Sequence, residues 1–180
     1  MRVLLFGAQS EHLRAELARH PSLKLVDMDP EVVVCFGGDG TLLSAELAWP
    51  MVPKLPIRNS RRGIRCIPHS PAEVIRHMVE NTLSPTHFLK LECAVSYHDE
   101  PEPMCFLTAM NEFNVHMGHI NSAVRFRMWI VDAPYEIGAE ILGDGFCVCT
   151  PFCSTAYFNQ STHGIFPSGL GLAFKATSEH

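Results

Sequence analysis

The sequence predicts an α/β fold in two parts, a strand-and-helix unit over residues 1–86 followed by a β-rich domain over 87–180. Three observations predict it. Two apolar runs, 2–6 and 32–36, each end at a glycine and lead into helix-like segments, as buried parallel strands do. The second run ends in Gly37-Gly38-Asp39-Gly40-Thr41, a tight turn between a strand and a helix. Beyond residue 88 the period changes to two, with Leu89, Leu91, Cys93 and Val95 alternating against Lys90, Glu92, Ala94 and Ser96.

The elements follow in order. Residues 2–6 read as a first buried strand. Ser10 is the expected N-cap of a helix whose apolar face carries Leu13 and Leu17 and which stops at His20-Pro21. Residues 23–26 form a short strand, 32–36 the strand before the glycine turn, and 42–47 a helix. Together these make a Rossmann-like unit, with a ligand expected at the C-terminal ends of the strands. A proline-punctuated stretch over 50–56 ends that helix. The stretch 55–63 carries Arg58, Arg61 and Arg62, which read either as a solvated loop or as a phosphate-lining set. Ser70-Pro71-Ala72-Glu73 has the form of an N-cap, a proline at the first helical position and an acidic first turn. Its helix is expected to run to about residue 81 with Val74, Ile75, Met78 and Val79 inward. Further strands are expected over 89–95, 104–107, 124–131 and 136–142, with a turn over 99–103.

Composition narrows the function. The chain has 180 residues, 47% hydrophobic and 18% charged, enough apolar material for a core. A formal net charge of −5 gives no case for nucleic acid. The apolar start is too short for a secretory signal, and no apolar run reaches membrane-spanning length. Seven cysteines without such a signal fit reduced thiols in the cytoplasm. Cys147, Cys149 and Cys153 lie close together, and Cys66 is near His69. These spacings lack the paired pattern of zinc sites, so no metal ligand is expected among them. Cys147 and Cys149 instead share one face of a presumed strand.

Four motifs carry chemistry. The glycines of the turn allow close backbone approach to a phosphate, and the amides of a helix N-terminus point at it. Asp39 stands among them as a carboxylate that repels phosphate. It therefore holds a metal ion, takes a proton from an attacking hydroxyl, or merely caps the helix. Asn111 and Glu112 place an amide beside an acid after an apolar strand. That pair can read the hydroxyls and amino groups of a nucleoside, or it can be a polar turn. Gly143-Asp144-Gly145 leads into a strand. The hydroxyl-rich segment 154–157, Ser-Thr-Ala-Tyr, then opens a helix, with small side chains for close approach and a flat ring at Tyr157.

In this order, from residue 32 to about residue 164, the motifs resemble the NAD kinase family. The glycine turn by itself is shared with lipid kinases of the diacylglycerol and sphingosine type and with phosphofructokinases. The Asn-Glu pair and the Ser-Thr-Ala-Tyr segment point to NAD kinase. The resemblance implies transfer of a phosphoryl group from ATP or polyphosphate, with magnesium carried on the donor, to the 2′-hydroxyl of the adenosine ribose of NAD. It implies an α/β first domain, a β-rich second domain and a homo-oligomer, dimer or tetramer. Asp39 would be the general base. Gly37, Gly38, Gly40 and Thr41 would form the phosphate turn. Asn111, Glu112, Asp144, Thr155, Ala156 and Tyr157 would surround NAD.

The sequence also departs from the family pattern. Cys153 stands where the family has a glycine, and a turn there with positive φ would strain it. The stretch 56–64 keeps only Ile57, Asn59 and Gly63 of the family's glycine-rich segment. The paired glycines after Tyr157 reduce to His163-Gly164. The chain stops soon after, as in a short or C-terminally truncated member, with an inactive nucleotide-binding homologue as the alternative.

Overall fold

The structure is a computed structural model that describes residues 1–98, 100 and 102–177. The chain divides into two compact units, Met1–Pro85 and Thr86–His180.

The first unit is a four-stranded parallel sheet in the order β2-β1-β3-β4, built from β1 (Arg2–Phe6), β2 (Lys24–Leu25), β3 (Val32–Gly37) and β4 (Lys54–Arg58). Val33, Val34 and Cys35 are all buried, because helices cover both faces of a parallel sheet. One face carries the core of Val3, Val34, Leu55 and Ile57. Against it lie Leu13, just before α1 (Arg14–Leu17), Leu17 of α1, and Val74, Ile75 and Met78 of α3 (Pro71–Val79). Helix α2 (Asp39–Ala48) packs on β3 and β4.

Local chemistry explains the boundaries. The Ser70 hydroxyl accepts from the Glu73 amide and Pro71 fills the first position of α3, as the sequence predicts. The helix stops at Val79, two residues short of the expected end, and Val79 is half-buried. The expected helix over 10–20 is a 3₁₀ turn, Ser10–Leu13, followed by the short α1. Ser10 is not its cap. The hydroxyl donates to the Gly7 carbonyl at 2.8 Å, tying the turn to the end of β1. The stretch that charge alone reads as a loop begins inside β4, where Pro56 tolerates a parallel strand, and only residues beyond Arg58 form the loop.

The second unit is built from antiparallel pairs. β5 (Leu91–Val95) pairs with β6 (Cys105–Ala109). β7 (Glu112–His116), β12 (Gly145–Cys149) and β13 (Gly171–Lys175) form a three-stranded sheet in the order β13-β12-β7. The strand expected over 124–131 is two shorter strands, β8 (Val124–Phe126) and β9 (Trp129–Ile130), the latter paired with β10 (Ala133–Pro134). The strand expected over 136–142 is confined to β11 (Ile141–Gly143), which pairs with β8. A 3₁₀ turn, Tyr135–Gly138, occupies its first half. Glu136, Ile137 and Gly138 there have φ of 47°, 58° and 79°, outside any strand conformation. The turn expected over 99–103 lies partly outside the described residues.

The register of the three-stranded sheet sorts its side chains. Glu112, Asn114 and His116 lie opposite Cys149, Cys147 and Gly145, which lie opposite Gly171, Ala173 and Lys175. These nine residues share one face. Cys147, Cys149 and Ala173 are buried there with Cys153 beneath Tyr157, Phe158 and Phe166. The other face carries Phe146 and Phe174, which meet Phe126 and Tyr135. Helix α4 (Tyr157–Thr162) follows a 3₁₀ turn at Cys153–Thr155.

Candidate functional site

In the first unit the glycine turn sits at the C-terminal ends of the parallel strands, where such folds bind ligands. Helix α2 begins at Asp39 with Gly38 as its cap, three residues earlier than the apolar pattern indicates. Gly38 is extended, and its carbonyl accepts from the Thr41 amide at 2.9 Å. The turn is closely packed. A Cβ at Gly37 would stand 2.2 Å from Thr41 Oγ1, and one at Gly38 would stand 2.8 Å from Ser60 Oγ. Gly40 has open space around it, so its absence of a side chain answers no packing need.

Asp39 is a first-turn acid whose carboxylate is held from the neighbouring loop. Oδ2 accepts the Ile64 amide at 3.0 Å and Oδ1 accepts the Arg65 amide at 2.9 Å. The Cys66 thiol donates to Oδ1 at 3.6 Å. Burial, then the carboxylate beside it, pushes the Cys66 thiol up to about 11, so it remains a donor across the physiological range. The loop after β4 is therefore strapped to the start of α2. Its other ties are Gly63 N to Ser60 Oγ at 3.1 Å and Asn59 Nδ2 to Gln9 Oε1 at 2.8 Å. Arg58, Arg61 and Arg62 are exposed, and Arg58 Nη1 donates to the Gly63 carbonyl at 3.3 Å.

In the second unit Asn111 and Glu112 sit at the entry to β7. The Asn111 carbonyl accepts the Thr150 amide at 2.9 Å, and the buried Thr150 hydroxyl donates to the Met110 carbonyl at 2.6 Å. Backbone pairing thus fixes the pair, while two of its side-chain atoms stay open. Asn111 Oδ1 and Glu112 Oε2 are buried and have no hydrogen-bond partner among the described residues. Buried acceptors are normally satisfied, so such atoms indicate a missing donor.

Cys153 reaches the same carboxylate. Burial, and next its hydrogen bond to Glu112, pushes the Cys153 thiol up to about 11. The residue lies in a 3₁₀ turn, is fully buried, and is absent from the positive-φ positions. The condition under which a cysteine would be strained here, a positive φ, is not met.

Tyr157 opens α4 and is half-buried, with Lys175 Nζ 5.2 Å from its ring centroid. The same ammonium donates to Asn114 Oδ1. Thr155 is half-buried and Ala156 exposed in the link before the helix. Asp144 is elsewhere. Its amide donates to the Lys175 carbonyl at 2.9 Å at the Gly145 end of β12, whereas Glu112 pairs with Cys149 at the other end. That is about 16 Å along the strand. The structure thus groups Asn111, Glu112 and Tyr157 on the Cys153 side and sets Asp144 apart. The sequence reading missed Asn114, Lys175 and the Asp39-binding loop at 64–66. The polar-apolar alternation of Glu112-Phe113-Asn114-Val115-His116 is the signal that marks Asn114.

Solved structures share the fold. The yeast NADH kinase complexed with NADH superposes with a TM-score of 0.82 over 99% of this chain and 63% of that one, at 16% identity. An NAD kinase from Archaeoglobus fulgidus, in complex with ATP, gives 0.72 over 99% of this chain and 74% of its own, at 20% identity. The fold is that of the NAD and NADH kinases. No protein-family model matches the chain. Among curated proteins, the NAD kinase of Staphylococcus carnosus is 26% identical over 166 residues, 88% of this chain and 59% of the relative. The chain is similar to curated NAD kinases at 26–31% identity, and it spans little more than half the length of the curated relatives it matches. No helix among the described residues is long and apolar enough to cross a membrane.

Proposed function

We propose that the protein is an NAD kinase that transfers a phosphoryl group from ATP to the 2′-hydroxyl of the adenosine ribose of NAD. The pair of buried, unpartnered acceptors at Asn111 Oδ1 and Glu112 Oε2 carries this reading, because ribose hydroxyls and the adenine amino group are the donors they lack. Tyr157 supplies a flat ring beside them, with Thr155 and Ala156 lining the approach. In the first unit, Gly37, Gly38, Gly40 and Thr41 bring the first-turn amides of α2 to the donor's phosphates. Arg58 at the end of β4, and Arg61 and Arg62 on the exposed loop after it, stand nearby as further phosphate ligands.

Among the described residues no three His, Cys, Asp or Glu side chains converge as a resident metal needs. Magnesium enters this reading as part of the nucleotide substrate, bound by phosphate oxygens. Asp39 takes the 2′-hydroxyl proton as the new bond to phosphorus forms, a role typically worth about 10²–10⁴-fold. Its oxygens already accept the Ile64 and Arg65 amides, and the remaining lone pairs of the ionised carboxylate are the ones available to the hydroxyl. That occupation favours a second reading, a nucleotide-binding module without transfer.

The setting in the first reading is the cytoplasm, where the seven unpaired thiols stay reduced. The protein acts as a homo-oligomer, since Phe106, Ile120, Val131 and Ile137 stand exposed on the second unit. Incubation with NAD, magnesium and either ATP or polyphosphate tests the function. NADP formation establishes the kinase and its donor. NAD binding without NADP from either donor leaves the module.

A further inference from the structure

The face of the three-stranded sheet that carries Glu112 holds a cation that the proposed reaction has not used. Lys175, the last residue of β13, extends over the sheet, donates to Asn114 Oδ1 and lies over the Tyr157 ring. No carboxylate pairs with it among the described residues, and it meets an amide oxygen and an aromatic face. Both are neutral groups that orient an ammonium without neutralising it. Asn114 and Glu112 are same-face neighbours on β7, about 6.6 Å apart along the strand. The ammonium, held at Asn114, thus lies on the same face as Glu112, one such step along β7 from it.

We propose that Lys175 is the anion-recognising residue of this face. Its ammonium, aimed by Asn114 and Tyr157, meets a phosphate of the dinucleotide whose ribose Asn111 and Glu112 hold. The inference rests on the nucleotide reading above and adds the chemical distinction the acceptors cannot make. Two acceptors select a ribose but repel phosphate, so a nucleoside would satisfy them as well as a nucleotide. A single cation one step away makes the face selective for the phosphorylated ligand.

Calorimetric titration of the full chain with NAD and, separately, with uncharged adenosine tests this. Lys175→Met keeps the length and packing of the side chain but removes the charge. NAD affinity is expected to fall roughly tenfold or more, as for loss of a charge-assisted hydrogen bond, while adenosine affinity stays within about twofold. Lys175→Arg is expected to retain most of the NAD affinity. The NAD affinity of the wild type should weaken with added salt more steeply than that of Lys175→Met. Equal losses for NAD and adenosine would reduce Lys175 to a prop for Tyr157 and overturn the proposal. An unchanged NAD affinity would do the same. A folded wild type that binds neither ligand would overturn the nucleotide reading and this proposal with it.

Discussion

Removing the carboxylate of Asp39 is expected to loosen the loop after β4 as well as stop the reaction. In Asp39→Ala two backbone amides lose a charged acceptor, Ile64 at 3.0 Å and Arg65 at 2.9 Å. The Arg65 amide is partly buried, and its loss costs about 1–2 kcal/mol; the Ile64 amide is exposed and recovers water, for about 0.5 kcal/mol. The acid also sits in the first turn of α2, where its charge is worth about 0.5 kcal/mol against the helix dipole. The total is about 2–3 kcal/mol. Asp39→Asn keeps one acceptor oxygen but turns an NH₂ group towards the other amide, so about 1–2 kcal/mol is expected. Urea unfolding measures the total, and amide hydrogen exchange at residues 64 and 65 locates it. If Asp39 is also the base, Asp39→Asn loses about 10²-fold or more in NADP formation while NAD still binds within a few-fold. Wild-type unfolding and wild-type protection at residues 64 and 65 in Asp39→Ala would refute the account of the loop. Retention of most activity in a kinase-active background would refute the base.

Three other outcomes follow from the same contacts. Cys153→Gly should lose about 1–2 kcal/mol, since it empties a fully buried thiol site at a position with no positive φ, whereas Cys153→Ser should hold Glu112 better than Cys153→Ala does; a stabilised glycine variant in a thermal melt would contradict this. Gly145→Ala should cost at least about 2 kcal/mol, because its φ is +127° and a Cβ would stand 2.0 Å from the Val115 carbonyl; a melting temperature like wild type would show that β7 and β12 are not paired in this register. Burial pushes the Cys35 thiol up to about 12, above its value in the unfolded chain, so its contribution is complete below about pH 8.5 and is lost as pH rises towards 12. Urea unfolding between pH 9 and 11 should therefore show a slope shallower in Cys35→Ala by at most about 1.4 kcal/mol per pH unit, and identical slopes would sink the assignment.

The parts of the fold legible in the sequence are those where local chemistry and burial agree. Val32 to Cys35 is an apolar run because helices cover both faces of its sheet, and it reads as a buried strand for that reason. Ser70, Pro71 and Glu73 write the start of α3 in side chains that touch their own backbone. The misreadings have a common cause. Residues 54–58 are half polar and contain a proline, yet β3 supplies the pairing that makes them a strand. Residues 136–138 alternate like a strand, yet three successive positive φ values turn the chain there. In both cases the deciding term is a non-local pairing or a backbone conformation that composition does not record.

The candidate site divides in the same way. The glycine turn is legible because Gly37 and Gly38 are demanded by atoms within a few residues or one loop away, Thr41 Oγ1 and Ser60 Oγ. The acid between the glycines reads from sequence as a group free for metal or proton transfer, and nothing local shows that Ile64 and Arg65 will occupy both its oxygens. On the second unit, the orphaned acceptors of Asn111 and Glu112 follow from backbone bonds to a residue nearly forty positions away, Thr150. Cys153 departs from the family pattern, yet its thiol supports Glu112 where a glycine would leave that carboxylate without this donor. A substitution that reads from the sequence as damage to a turn therefore holds one of the two open acceptors in place. Loss of nucleotide binding in Cys153→Ala with its recovery in Cys153→Ser would separate that positioning role from simple packing, because both replacements fill nearly the same space and only the serine donates.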